Sequence, residues 1–146
     1  MLGYWNQPDL TAEALRGGWM HTGDGGRFDD HGILYVVDRM KDMIVSGGEN
    51  IFSAEVEGAL ALHPGVAQVA VIGVPDPRWG ERVTAVVALT TGATVTTDAL
   101  VEHCRGSIAG YKIPRAIVVV DQVRRSPSGK ADYAWAKQVA LGGEPS

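Results

Sequence analysis

A single cysteine, no excess of positive charge and no long apolar run are the first limits on this 146-residue chain. Cys104 on its own leaves no internal disulfide and fits a reducing compartment. It lies in a helix-like run without the electropositive surroundings a reactive thiolate needs, so packing is its expected role. No segment approaches the ~18–20 apolar residues that span a bilayer. The start, Met1-Leu2-Gly3-Tyr4-Trp5-Asn6, has neither the basic nor the apolar region of a signal peptide, and the chain reads as cytoplasmic. A net charge of -4 excludes the broad basic field of a general nucleic-acid binder, so any phosphate site is local. His21, His31, His63 and His103 show no zinc spacing, and no metal ligands are expected in this chain. His31 reads as a turn residue and His63 as a helix-end residue. Internal repeats and low-complexity segments are also lacking, and residues 142–146 read as a flexible tail.

What is present is 45% hydrophobic and 21% charged residues, enough for one domain with a genuine core and too little for two of ordinary size. Residues 1–38 read as the end of something larger: a short helix over Thr11–Leu15 capped by Thr11, a Gly17-Gly18 stop, then two strands. A lone hairpin of that size is marginal in water, so disorder, altered packing or strand-mediated self-association is expected there. From Asp42 the pattern is α/β (α+β), a small sheet flanked by helices. Strands are expected at Met43–Val45, Val66–Val74, Val83–Leu89 and Ile117–Val120. Helices are expected from Ser53, as cap, to about Leu62; from Thr97 or Asp98, as cap, to about Ile108; and from about Ala131 to Leu141.

The stretch from Trp19 to Asn50 is richest in chemistry. Thr22-Gly23-Asp24 puts a carboxylate, able to accept two ribose hydroxyls, after a glycine that lets backbone approach a ligand. Arg39 follows the turn Asp29-Asp30-His31-Gly32, so a hairpin brings it back beside Asp24. That pair is either a sugar clamp or an ion pair that ties the hairpin. Gly47-Gly48-Glu49-Asn50 is a tight turn between strand and helix whose bare backbone also lets a thin ligand pass. Trp79, in the loop from Pro75 to Arg82, is either a lid over local core or a stacking platform. Ser126-Pro127-Ser128-Gly129-Lys130 is not a Walker loop, because Arg124 and Ala131 stand where such a loop needs glycine and a hydroxyl residue. On residue types alone, Lys130 reads as a solvated surface lysine.

Three motifs, T-G-D, then D-R-M-K-D-M-I-V-S-G-G-E-N, then S-P-S-G-K, occur in the order and approximate spacing of the adenylate-forming superfamily. The chain resembles the C-terminal part of its acyl-CoA synthetases over essentially its whole length. The resemblance implies that residues 1–38 close a large N-terminal AMP-binding domain, that 39–41 form a hinge with Lys41 at its centre, and that 42–141 form a small mobile domain. It assigns the ATP ribose to Asp24 and Arg39, and makes Lys130 the catalytic lysine that meets the carboxylate and α-phosphate during adenylation. It gives CoA to Gly47, Gly48, Trp79, Lys112 and Arg115. Relatives usually have proline where Arg124 stands, and often arginine near Tyr133 and Ala134; Ile113 stands where an arginine can occur.

The resemblance further implies ATP and CoA as cosubstrates, Mg2+ held mainly by the N-terminal domain, and a carboxylic acid substrate, a fatty acid first among them. Two other outcomes fit the motifs: a domain that loads a carrier protein, and a non-catalytic binding or regulatory module of the same fold. Either way, this segment alone is expected to form no acyl-CoA.

Overall fold

The computed structural model describes residues 1–127 and 129–143. These fall into two compact units, Met1–Lys41 and Asp42 onward.

In the first unit, helix α1 (Pro8–Ala14) starts at a proline, whose missing N–H and preset φ suit a first helical position. Thr11 is therefore inside the helix and not its cap. Its Oγ1 donates to the Gln7 carbonyl (2.8 Å) and accepts the Tyr4 N–H (2.9 Å), tying the chain start to the helix. Strands β1 (Asp24–Phe28) and β2 (Leu34–Arg39) pair antiparallel, with Asp24 opposite Arg39 and Phe28 opposite Leu34. One carboxylate organises the turn: Asp29 Oδ1 accepts the N–H groups of His31 and Ile33, both at 2.9 Å, and Oδ2 accepts the Tyr35 hydroxyl at 3.1 Å. His31 is a turn residue. These local bonds close the hairpin. Its apolar side chains nonetheless stay in water, with Phe28 71% and Val36 65% exposed.

The second unit opens with β3 (Ile44–Ser46) and β4 (Glu49–Ile51), an antiparallel pair joined by Gly47 and Gly48. Both glycines have positive φ, +62° and +87°. That is the turn that matches strand twist and admits few other residues. The G-G-E-N stretch is thus a hairpin, and the expected direct passage from strand to helix is corrected: Glu49 and Asn50 pair back on β3. Helix α2 (Ser53–Ala61) follows, with Phe52 at the cap position. The Ser53 hydroxyl does not cap it, since it donates to the Asp42 carbonyl (3.1 Å). His63 follows the helix end and accepts the Gly65 N–H on Nδ1 at 3.0 Å.

Strands β5 (Val66–Asp76) and β6 (Gly80–Leu89) form a long antiparallel hairpin, so the loop between them shrinks to residues 77–79. Helix α3 (Thr97–Arg105) is capped by Thr96, one residue before the first of the two expected caps; its Oγ1 accepts the Ala99 N–H at 3.2 Å. Strand β7 (Ala116–Val120) lies parallel to β6. Helix α4 (Tyr133–Ala140) begins two residues later than expected because Asp132 caps it, accepting the Trp135 N–H at 3.0 Å.

The sheet order is β4-β3-β6-β5, with β7 also on β6. Antiparallel hairpins and one parallel pair, with helices on both faces, make an α+β fold. Alternate residues of β5 and β6 enter opposite cores. Val71, Val83, Ala85 and Val87 meet Leu60 of α2 and Leu100 and Cys104 of α3. Ala70, Ile72, Val86 and Ala88 meet Trp135, Ala136 and Val139 of α4. Burial on two faces explains the near-continuous apolar runs. Burial also pushes the Cys104 thiol up, leaving it protonated and inert.

The Asp29 carboxyl is held below its ordinary 3.8, first by the Ile33 N–H, with the His31 N–H and Tyr35 hydroxyl adding to it. A depressed carboxyl stabilises the fold above its unfolded pKa, and that contribution is lost as pH falls through the folded value. Carbon NMR titration is expected to place the Asp29 midpoint below 3.8, with cross-strand contacts between β1 and β2 fading as that midpoint is crossed. A midpoint at or above the ordinary value would show that the turn does not depend on the charge.

Candidate functional site

Of the residues that sequence reasoning joined, Asp24 and Arg39 do meet. They are register partners across β1 and β2, and Arg39 Nε lies 2.8 Å from Asp24 Oδ1. Arg39 Nη1 also donates to the Thr22 carbonyl at 3.0 Å, while the Thr22 hydroxyl accepts the Asp24 N–H at 3.2 Å. Gly23, at φ +74°, makes this corner reachable. Arg39 is half exposed, so the pair is worth about 0–1 kcal/mol. Its consequence is orientation: a carboxylate and a guanidinium held side by side on an open hairpin edge, complementary to a hydroxyl-rich ligand.

Lys41 is exposed between two anchors. The Met40 N–H donates to the Gly23 carbonyl (2.8 Å), and the Asp42 carbonyl accepts Ser53 Oγ. The chain is thereby fastened just before Lys41 to one unit and just after it to the other.

Within the second unit, Gly47 and Trp79 touch, with Gly48 beside them in the same turn. The Gly47 N–H donates to the Trp79 carbonyl at 2.8 Å, and a Cβ added at Gly47 would lie 3.0 Å from Trp79 Cε3. The Trp79 loop is shaped by Asp76, whose Oδ1 accepts the N–H groups of Arg78 (2.9 Å) and Trp79 (3.2 Å). The indole is half-buried. Arg115 stands over its ring at 4.1 Å and Arg78 at 4.7 Å. Trp79 is therefore neither a simple lid nor an empty platform; it orders two cations by their attraction to its π-face. Arg78 was not legible as a partner of Trp79 from residue types.

Lys112 has a partner that sequence reasoning missed. Its Nζ donates to both Glu55 oxygens, at 2.6 and 2.7 Å, and its side chain is only 18% exposed. The hydrogen bond with Glu55 raises the Lys112 pKa above the usual 10.5. Lys112 is charged at neutral pH but already neutralised, so it offers an incoming phosphate less than Arg78 or Arg115 does. Glu55 lies in the first turn of α2, where the helix dipole also favours a carboxylate.

Lys130 is exposed on a closed loop whose Ser128 lies outside the described residues. The Ser126 N–H donates to the Lys130 carbonyl and the Gly129 N–H to the Ser126 carbonyl, both at 2.8 Å. Arg125 bridges to Ala131, and its Nη1 donates to the Gly129 carbonyl at 2.9 Å. The Asp132 N–H donates to the Arg124 carbonyl (2.9 Å), which roots the loop on the cap of α4. Among the described residues, no group of three or more His, Cys, Asp or Glu could hold a metal ion. No helix there is long and apolar enough to cross a membrane. The tail expected over residues 142–146 falls mostly on 144–146, outside the described residues.

A family model described as "AMP-binding enzyme C-terminal domain" matches residues 55–130. Among curated proteins, the chain is 52% identical over 130 residues to a feruloyl-CoA synthase of Amycolatopsis sp, covering 89% of this chain and 26% of that one. It is 46% identical over 127 residues to the long-chain-fatty-acid–CoA ligase FadD13 of Mycobacterium tuberculosis, covering 87% and 25%. Among solved structures, it superposes on the o-succinylbenzoate CoA synthetase MenE of Bacillus subtilis, in complex with its acyl-adenylate intermediate, with a TM-score of 0.83 and 40% identity, covering 88% and 26%. The chain thus spans about a quarter of the length of the curated relatives it matches.

Replacing Gly47 by alanine is expected to cost about 1–2 kcal/mol, because a side chain is strained at positive φ and meets the Trp79 ring. Urea unfolding would read the loss, and the Trp79 indole resonance would shift. Unchanged stability with an unmoved indole would show that the turn accepts a side chain.

Proposed function

The chain belongs to the AMP-binding enzyme C-terminal domain family, and on that premise we propose that it is the C-terminal part of an ATP-dependent acyl-CoA synthetase. Such an enzyme joins a carboxylate to AMP with loss of pyrophosphate, then lets the CoA thiol displace AMP. In this reading Asp24 accepts the ribose hydroxyls while Arg39 holds its carboxylate in place. Lys130 offsets the charge that builds as carboxylate oxygen attacks the α-phosphorus. Gly47 and Gly48 leave room for pantetheine, and Arg115, with Arg78 beside it, meets the CoA phosphates at Trp79. Lys41 is the pivot of a small domain running from Asp42 onward. The acyl pocket and the Mg2+ site belong to a larger N-terminal polypeptide, against which the apolar β1–β2 hairpin would be covered. The acid is a fatty or an aromatic carboxylic acid, and the reaction takes place in the cytoplasm.

One observation carries most of this reading: the 2.8 Å contact of Asp24 with Arg39, in register, in the corner that follows T-G. A pair worth so little in stability is better explained by what it presents than by what it holds together.

The test joins this chain to its N-terminal polypeptide and follows acyl-adenylate and acyl-CoA separately. Lys130→Ala is expected to slow adenylate formation about 10²–10³-fold, while a supplied acyl adenylate still reacts with CoA. Asp24→Ala is expected to raise the KM for ATP. Acyl-CoA formation by the 146-residue chain alone, or unimpaired adenylation by the Lys130 variant, would overturn the assignment.

A further inference from the structure

The loop that carries Lys130 is already closed by its backbone. Two main-chain hydrogen bonds span Ser126, Gly129 and Lys130, and the bridge from Arg125 to Ala131 forms its neck. The Arg125 side chain adds a bond that closure does not require. Its Nη1 donates at 2.9 Å to the carbonyl of Gly129, the acceptor belonging to the peptide group whose nitrogen is that of Lys130. Gly129 sits at φ +81°, and its Cβ position faces open space. Among the described residues no atom lies within 4 Å of a Cβ placed there, and a glycine is the residue type freest to rotate the plane of that peptide.

From these facts we infer that Arg125 is a positioning residue: its guanidinium locks the Gly129–Lys130 peptide plane and thereby aims the Lys130 side chain. The inference rests on Lys130 acting in adenylation. A planar guanidinium suits the task, because its donors are fixed in direction and its charge does not titrate at working pH. The adjacent Arg124 is engaged differently: its carbonyl accepts the Asp132 N–H and its Nε faces Asp132 Oδ2 at 3.6 Å, so it fastens the loop to α4. The two consecutive arginines thus divide the work, one rooting the loop and one setting its tip.

Two readouts test this. In the 146-residue chain, nitrogen-15 relaxation and amide exchange at Gly129 and Lys130 are compared for the parent, Arg125→Ala and Arg125→Lys. The alanine variant is expected to loosen those two amides while Trp135 and the strand amides keep their order, and the lysine variant to restore part of it. In the complete polypeptide, Arg125→Ala is expected to slow adenylate formation about tenfold with the KM for ATP unchanged, the loss typical of a misaimed group. Reaction of supplied acyl adenylate with CoA is expected to be unaffected. Unchanged Gly129 and Lys130 amides in Arg125→Ala, or equal losses in both half-reactions, would overturn the inference. If Lys130→Ala leaves adenylation intact, the functional assignment fails on its own, and the relaxation data still decide whether Arg125 holds the loop.

Discussion

Strand β6 is the constraint on which the second unit depends. It pairs with β5 along its length, with β3 at Gly80 and with β7 from Thr84 to Ala88, so both its edges are used. Both its faces are used as well, since Val83, Ala85 and Val87 enter one core and Val86 and Ala88 the other. Such a strand tolerates no slip of register, because a shift by one residue would exchange the two cores. The candidate site loops of this unit leave from elements fixed to β6, directly or through one neighbour.

The polar contacts around this core work at edges and ends. Glu57 of α2 reaches the Val71 N–H of β5 at 2.9 Å, and Gln68 accepts the Val123 N–H at 3.0 Å. The first satisfies a main-chain donor of β5 and the second one in the loop after β7, and each fixes where a helix or loop sits. The described ion pairs are largely surface pairs of small energetic weight. What they determine is direction: Glu55 holds Lys112, Asp132 holds Arg124, and Asp24 holds Arg39. Stability comes from apolar burial, and the charges select among orientations that burial leaves open.

That division explains what could be read from the sequence. The run from Val66 to Val74 was legible as a strand because burial on both faces leaves a continuous apolar signal. Thr96 and Asp132 lay within two residues of the expected starts of α3 and α4. β4 was not legible: three residues, two of them polar and exposed, carry no period, and only pairing with β3 makes them a strand. Ser53 and Thr11 misled because a hydroxyl near a helix start has several carbonyls and N–H groups to choose from: Ser53 took the Asp42 carbonyl, and Thr11 took the Gln7 carbonyl and the Tyr4 N–H. The closeness of Asp24 and Arg39 followed from counting residues across a turn. The partners Arg78, Glu55 and Arg125 depend on contacts between segments, or on the direction of one side chain, that spacing does not encode.

The geometry of the second unit also limits how it can serve two steps of a reaction. The turn with Gly47 and Trp79 lies where β6 begins, since Ser46 pairs with Gly80. β7 runs parallel to β6 and ends opposite Ala88, and Val123, two residues before Arg125, is tied to Gln68, which also pairs with Ala88. The Lys130 loop is therefore rooted at the opposite end of the strand. A strand of this length extends roughly 30 Å at about 3.3 Å per residue. A body held together by one doubly buried strand cannot bring both ends to one reacting carbon at once. If both loops act on one acyl group, as the proposed function requires, they act in turn, and the whole unit must reorient between steps. Under the proposed function that reorientation would fall to Lys41, which is fastened on either side of itself and exposed between.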